Sequence, residues 1–180
     1  MEGKNFYISD LHLYEKKFLD EQRPNRRDFP DIDTLHKMIG VNWKNKVKMQ
    51  DSVYILGDVG SPRHCLEIIR FMKKLPGKKI LITGNHDLKN LEHGVFRSVF
   101  SEIHIYQRIK DKGRDVVLFH YPIEEWERYW AGAYHIHGHT HLCEGHIEFL
   151  ERRYNASVEE NGYTPMTLDE LIEKRKGGLQ

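Results

Sequence analysis

The sequence predicts an α/β fold in which a layered sheet, with an antiparallel portion in its second half, is covered by helices. Three observations carry that reading: short apolar runs recur along the chain, amphipathic helical stretches alternate with the first of them, and a glycine-bearing turn later joins two runs as a hairpin. The strands are "NFYIS" (5–9), "SVYILG" (52–57), "KKILIT" (78–83), "DVVLF" (115–119) and "AYHIHG" (133–138), most of them rich in Val, Ile, Phe and Tyr. Their continuity implies burial on both faces. Between the first two, residues 32–43 place Ile32, Leu35, Met38, Ile39 and Trp43 on one helical face. Residues 62–75 do the same with Cys65, Ile68, Ile69, Met72 and Leu75, after Ser61 as N-cap and Pro62 in the first turn. "KDKGRD" (110–115) reads as the turn joining "IHIYQRI" to "VVLF", and "TLDE" (167–170) is a capping box opening a last helix that runs to Gly177.

With 180 residues and no linker, repeat or low-complexity tract, the chain is expected to form a single domain over 1–180. Apolar residues at 39% and charged residues at 31% describe a globular protein, and no apolar run approaches the ~20 residues of a membrane helix. "MEGKNFYISD" lacks the basic and apolar regions of a secretory signal, so a cytoplasmic location is expected. Cys65 and Cys143 lie far apart and suggest neither a redox pair nor a zinc knuckle. Lys and Arg (28) balance Asp and Glu (27) without a basic block, which argues against a dedicated nucleic-acid surface. The unusual count is 12 histidines, and histidine is the commonest transition-metal ligand.

The residues just beyond each strand are chemically selective. Asp10-Leu11-His12 comes after the first, Gly57-Asp58 after the second, Gly84-Asn85-His86-Asp87 after the third, His120 after the fourth and Gly138-His139-Thr140-His141 after the fifth. In an open α/β sheet, sites form outside the carboxyl ends of the strands, so these groups can converge on one pocket. Each piece alone has an ordinary explanation as a turn, a surface pair or a core histidine. Five such clusters, each at a strand end, do not. Mixed imidazole, carboxylate and amide donors suit borderline divalent ions such as manganese, zinc or iron.

In this arrangement the chain resembles the calcineurin-like metallophosphoesterase superfamily, whose pattern D-x-H, G-D, G-N-H-[DE], a lone His and G-H-x-H stands here as "DLH", "GD", "GNHD", "HYP" and "GHTH" between residues 10 and 141. The tail "NASVEENGYTPMTLDEL" looks like the end of short prokaryotic and phage members, where a further strand and a helix complete the core. The resemblance implies a four-layer α/β/β/α sandwich and two divalent metal ions. Asp10, His12, Asp58 and His141 would hold the first; Asp58, Asn85, His120 and His139 would hold the second; Asp58 would bridge them. It further implies attack of a bridging hydroxide on phosphorus. His86 is expected to assist as general acid or electrophile, with Asp87 either orienting it or capping the following helix.

His135 and His137, which precede G-H-x-H in the strand, are expected to be structural or to support the ligands from behind, and His36, His64, His93, His104 and His146 match nothing in the pattern. Two stretches bear on substrate. The loop 14–31 carries Arg23, Arg26 and Arg27, which either reach a phosphate or belong to a solvated charged loop. Trp126, Tyr129 and Trp130 either stack a base or pack on the sheet. The short chain leaves little room for a cap, so an open pocket taking small phosphate esters is expected: phosphodiesters or nucleotides first, phosphomonoesters second. A non-enzymatic binding module on this fold would be expected to have lost ligands, and all are present. No membrane partner is expected, and the oligomeric state is not encoded legibly.

Overall fold

A computed structural model describes residues 3–23, 26–141 and 151–177. Its strands form two sheets of four. In the first, β1 (Asn5–Ile8), β2 (Ser52–Ile55), β3 (Lys78–Ile82) and β4 (Glu102–His104) lie side by side in sequence order, all parallel. In the second, β5 (Tyr106–Asp111) pairs antiparallel with β6 (Arg114–Phe119), and β7 (Tyr134–His137) and β8 (Arg153–Asn155) continue in parallel.

Alternation along the strands separates two cores. Phe6, Ile8, Val53, Ile55 and Leu81 face the helices α1 (Ile32–Lys46) and α2 (Cys65–Lys73), whereas Tyr7, Leu56 and Ile82 meet Val116, Leu118 and Ile136 between the sheets. Two short helices, α3 (Leu88–Leu91) and α4 (Gly94–Arg97), add Phe96 to the helix-side core, and α5 (Leu168–Gly177) adds Leu168 and Leu171 to the inter-sheet core. On the far side of the second sheet, Val117 packs under Trp126 and Ala133, and a 3₁₀ turn at Tyr129–Ala131 stands in that layer. The fold is therefore the mixed α/β, two-sheet architecture expected, with its outermost layer thin among the described residues.

Local signals hold well. Asp31 caps α1 by accepting from Thr34 N–H at 2.6 Å, Ser61 accepts from Arg63 N–H at 3.4 Å, and the capping box is reciprocal between Thr167 and Glu170. Three expectations change. Met38 is exposed, and His36 takes its place on the buried face of α1; at about 100° per residue, position 38 lies about 105° from the centre of the stripe through 32, 35, 39 and 43 and position 36 about 55° from it. The run 103–109 is two strands, because residues 102–104 pair with β3 and residues 106–111 with β6, with Ile105 exposed at the crossing between sheets. Among the described residues of 14–31, Phe18 and Arg27 are buried and not solvated. Cys143 and His146 lie outside the described residues. Among the described residues no helix is long and apolar enough to cross a membrane.

The tail lies along the free edge of β1. Tyr7 exchanges both backbone hydrogen bonds with Met166, Ser9 N–H donates to Ala156 and Val158 N–H donates to Ser9, while Ala156 N–H also reaches His137 of the second sheet. The same segment thus joins the two sheets and leaves β1 without an open edge. At the opposite side of the inter-sheet core, Tyr7 Oη donates to Asp111 at 2.8 Å. Trp43 is fully buried under the first sheet and donates through Nε1 to Pro76 O at 2.9 Å. Trp43→Ala is expected to cost about 3–5 kcal/mol, read from urea unfolding, since it opens a large cavity in the helix-side core.

Candidate active site

All five clusters converge at the carboxyl ends of the parallel strands. Asp10 and His12 leave β1, Asp58 leaves β2, and Asn85 and His86 leave β3; His120 leaves β6, and His139 and His141 leave β7. Asp10, His12 and His141 offer ligand atoms within 4.8 Å of one another, and so do Asp10, Asp58 and His120. Asp58 Oδ2 lies 3.7 Å from His12 Nε2 on one side and 3.7 Å from His120 Nε2 on the other. Asn85 Oδ1 is 3.0 Å from His120 Nε2, and the His139 ring stands 5.1 Å from that of His120. His139 and Asn85 fall outside both tight clusters but border the second.

The backbone that delivers these groups is unusual. Asp10, His12, Asp58, His139 and His141 all adopt left-handed conformations, with φ between 44° and 71°. Each costs a non-glycine residue roughly 1–2 kcal/mol, a cost that persists at sites where the surrounding fold dictates the geometry. Two glycines of the motifs serve close approach. A Cβ at Gly84 would stand 2.3 Å from Asp58 Oδ1, and one at Gly138 would stand 2.5 Å from Asp10 Oδ2.

Around the ligand atoms lies a shell of partners that fixes each ring. His12 Nδ1 faces Glu15 at 3.0 Å, His141 Nδ1 faces Glu159 at 3.1 Å, and His120 Nδ1 faces Leu56 O at 2.7 Å. Such contacts select the nitrogen left for a metal. Asp10 accepts the His139 amide at 3.0 Å and 3.2 Å, one bond to each carboxylate oxygen, and Asp58 Oδ1 accepts the His86 amide at 2.9 Å. Asp87 is enclosed, and its carboxylate accepts from the backbone of Asp58, Val59 and Gly84 at 2.8–2.9 Å. It neither binds the His86 imidazole nor caps α3 through its side chain. Burial pushes the Asp87 carboxyl up to about 6, with the three amides opposing.

Glu15, Glu159 and Arg27 are parts of the site that the sequence alone either hides or misplaces. Arg27 is not a phosphate contact: it is wholly buried, with Nη1 donating to Leu11 O, Nη2 to Asp10 O, and Nε to Glu159 at 2.8 Å. It therefore clamps the D-x-H loop to the tail. Arg26 lies 3.7–3.9 Å from Asp28 and Glu21, and Arg23 stacks on Phe18. His135 and His137 are buried structural groups as expected, His135 facing Val117 O and Tyr121 O, and burial brings its imidazole down to about 4. His36 accepts the Tyr14 amide at 3.1 Å and is brought by burial to about 4.

One observation tests the donors for a metal. His12 Nε2 is a buried polar atom with no hydrogen-bond partner, aimed toward Asp58, and burial holds the ring below its ordinary range, in the neutral form that ligates. An orphan imidazole nitrogen among two carboxylates and further imidazoles fits a borderline divalent ion. The calcineurin-like phosphoesterase family matches residues 6–177. The chain belongs to that family. Calcineurin-like phosphoesterases are metal-dependent phosphoric ester hydrolases, and the clustered donors are candidates for holding those metals. Similar proteins include an uncharacterized protein of Methanocaldococcus jannaschii, 30% identical over 96% of this chain and 93% of that one. The gene 66 protein of Mycobacterium phage L5 is 30% identical over 77% of this chain and 78% of its own length. A crystal structure of a protein of unknown function from Aquifex aeolicus superposes with a TM-score of 0.76 at 27% identity, covering 96% of this chain and 99% of that one.

The Arg27–Glu159 pair can be tested from either side. Arg27→Met strands the Glu159 carboxylate in the interior and is expected to cost about 3–5 kcal/mol in chemical denaturation. Burial alone would raise the Glu159 carboxyl, but His141 and Arg27 outweigh it and hold it at about 2, below its ordinary 4.5. A depressed carboxylate stabilises the fold in full above roughly pH 4.5 and loses that contribution as pH falls toward about 2. Thermal melts of metal-free protein should therefore show an acid limb over that window, flattened in Glu159→Gln.

Proposed function

We propose that the chain acts as one domain over residues 1–180 and hydrolyses small phosphate esters, phosphodiesters or nucleotides first, with a pair of divalent ions. Asp10, His12, Asp58 and His141 would hold one ion; Asp58, Asn85, His120 and His139 the other; manganese is the leading candidate. The observation that carries this reading is the position of Asp58, whose Oδ2 stands at the same 3.7 Å from an imidazole nitrogen on each side. That geometry supports a shared carboxylate. When bound, such ions supply Lewis acidity toward the phosphoryl oxygens and lower the pKa of water enough to furnish a nucleophile near neutral pH.

The protein's own groups do the rest. Asp10 and Asp58 are fixed by amide hydrogen bonds, so their charge stays oriented without reorganisation during reaction. Glu15 and Glu159 hold His12 and His141 with Nε2 facing the centre. His86 is exposed, its ring 5.4 Å from that of His12, and its amide is anchored on Asp58. We assign it the proton delivered to the leaving oxygen, the step a poor leaving group needs. The Asp87 carboxylate supports this by positioning: it holds the two loops that carry Asp58 and His86.

The test is hydrolysis of bis-p-nitrophenyl phosphate and p-nitrophenyl phosphate by metal-stripped protein reconstituted with Mn²⁺. Manganese-dependent turnover favouring the diester is expected, and monoester preference would overturn the assignment to diesters. Asp58→Asn should lose both metals and nearly all turnover. His86→Ala should keep both metals and lose about 10²–10⁴ in kcat; full activity on an ester with a poor leaving group would remove His86 from the mechanism.

A further inference from the structure

Two aromatic residues border the candidate ligands; Phe18, against His12 and His141, is buried, whereas the second is partly exposed. Tyr121 comes directly after His120; its ring lies 4.6 Å from that of His139 at 62° and 5.0 Å from that of His120 at 76°. Phe119 stands 5.5 Å behind it and Tyr106 lies 6.0 Å beyond Phe119, so an aromatic wall leads from the candidate metal ligands to the surface. Tyr121 is 36% exposed and Tyr106 39% exposed, so part of each ring is open to solvent. Tyr121 is nevertheless held in place, since its carbonyl faces the buried His135 at 3.2 Å. The tryptophans of the same loop are engaged elsewhere. Trp126 is buried and donates to Ala133 O at 3.0 Å, and Trp130, though exposed, donates to Glu125.

We propose that Tyr121, backed by Phe119 and Tyr106, is a stacking platform that selects phosphate esters carrying a nucleobase or a comparable planar ring. The inference rests on the hydrolase reading above and names its substrate class. A phosphate held beside His139 leaves the remainder of a nucleotide to extend across the adjoining ring. Stacking accepts any base, because every base has a π-face, and a partly exposed ring fixed by its backbone loses little freedom on binding. No hydrogen bond from the Tyr121 hydroxyl is formed among the described residues, and the Tyr121→Phe variant separates the ring face from the hydroxyl.

The experiment is titration calorimetry on Mn²⁺-loaded protein with the phosphonate analogues of AMP and of ribose 5-phosphate, which share phosphonate and ribose and have no ester to hydrolyse. The adenosine compound is expected to bind at least roughly tenfold more tightly. Tyr121→Ala should bring the two within about twofold and Tyr121→Phe should keep the preference; Tyr121→Leu, which retains apolar bulk, should behave as the alanine variant. Equal affinities in the unaltered protein, or an undiminished preference in Tyr121→Leu, would overturn the platform. Hydrolysis of bis-p-nitrophenyl phosphate or p-nitrophenyl phosphate by the same preparation separates the two readings. Turnover without base preference removes the platform alone, and base preference without turnover removes the hydrolase reading and leaves the platform standing.

Discussion

Asp87 has a carboxylate closed off from water that accepts from three backbone amides, those of Asp58 and Gly84 on one oxygen and of Val59 on the other. These bonds tie the loop after β2 to the loop after β3, and Asp58 in turn accepts the His86 amide. Everything at the centre depends on that knot. A buried carboxylate is costly unless fully hydrogen-bonded, and here the bonding partners are backbone, which side-chain substitution elsewhere cannot remove. The position of Asp58 between His12 and His120 is therefore a property of the loops themselves.

Tension in the backbone is the counterpart of that rigidity. Five candidate ligands sit in left-handed conformations, a concentration that neighbouring packing must hold. The holding groups come from other loops: Arg27 on the carbonyls of Asp10 and Leu11, Glu159 on His141, and the His139 amide on Asp10. Strain of this kind keeps the carboxylates and imidazoles facing one another when their natural tendency is to turn outward to water. The orphaned His12 Nε2 is the visible residue of that arrangement.

Legibility in the sequence tracks the range of the interaction. The strand ends at Asp10, Asp58, Asn85, His120 and His139 are readable because apolar runs stop abruptly at ligand-type residues, and parallel order then brings those ends together. Caps at Ser61 and Thr167 are readable because each signal lies within a few residues of its partner. Glu159 and Arg27 are not, since they find each other across 132 positions and nothing local marks either as buried. Position 105 reads as strand interior, because a chain that changes sheets in one residue keeps the composition of a single strand. Tyr121 does not stand out from the tryptophans near it, as residue type cannot tell which aromatic borders the site and stays partly exposed.

The tail between β8 and α5 pairs with β1, joins the second sheet and carries Glu159 to His141. Its late place in the chain matters for biosynthesis. The first-made strand and the D-x-H loop leave the ribosome long before the segment that completes them, and no half-synthesised chain contains the carboxylate that holds His141 or neutralises Arg27. The buried pair of Arg27 and Glu159 can close only once residue 159 has been made. A shortened translation product would carry the recognisable motifs and still lack a closed site.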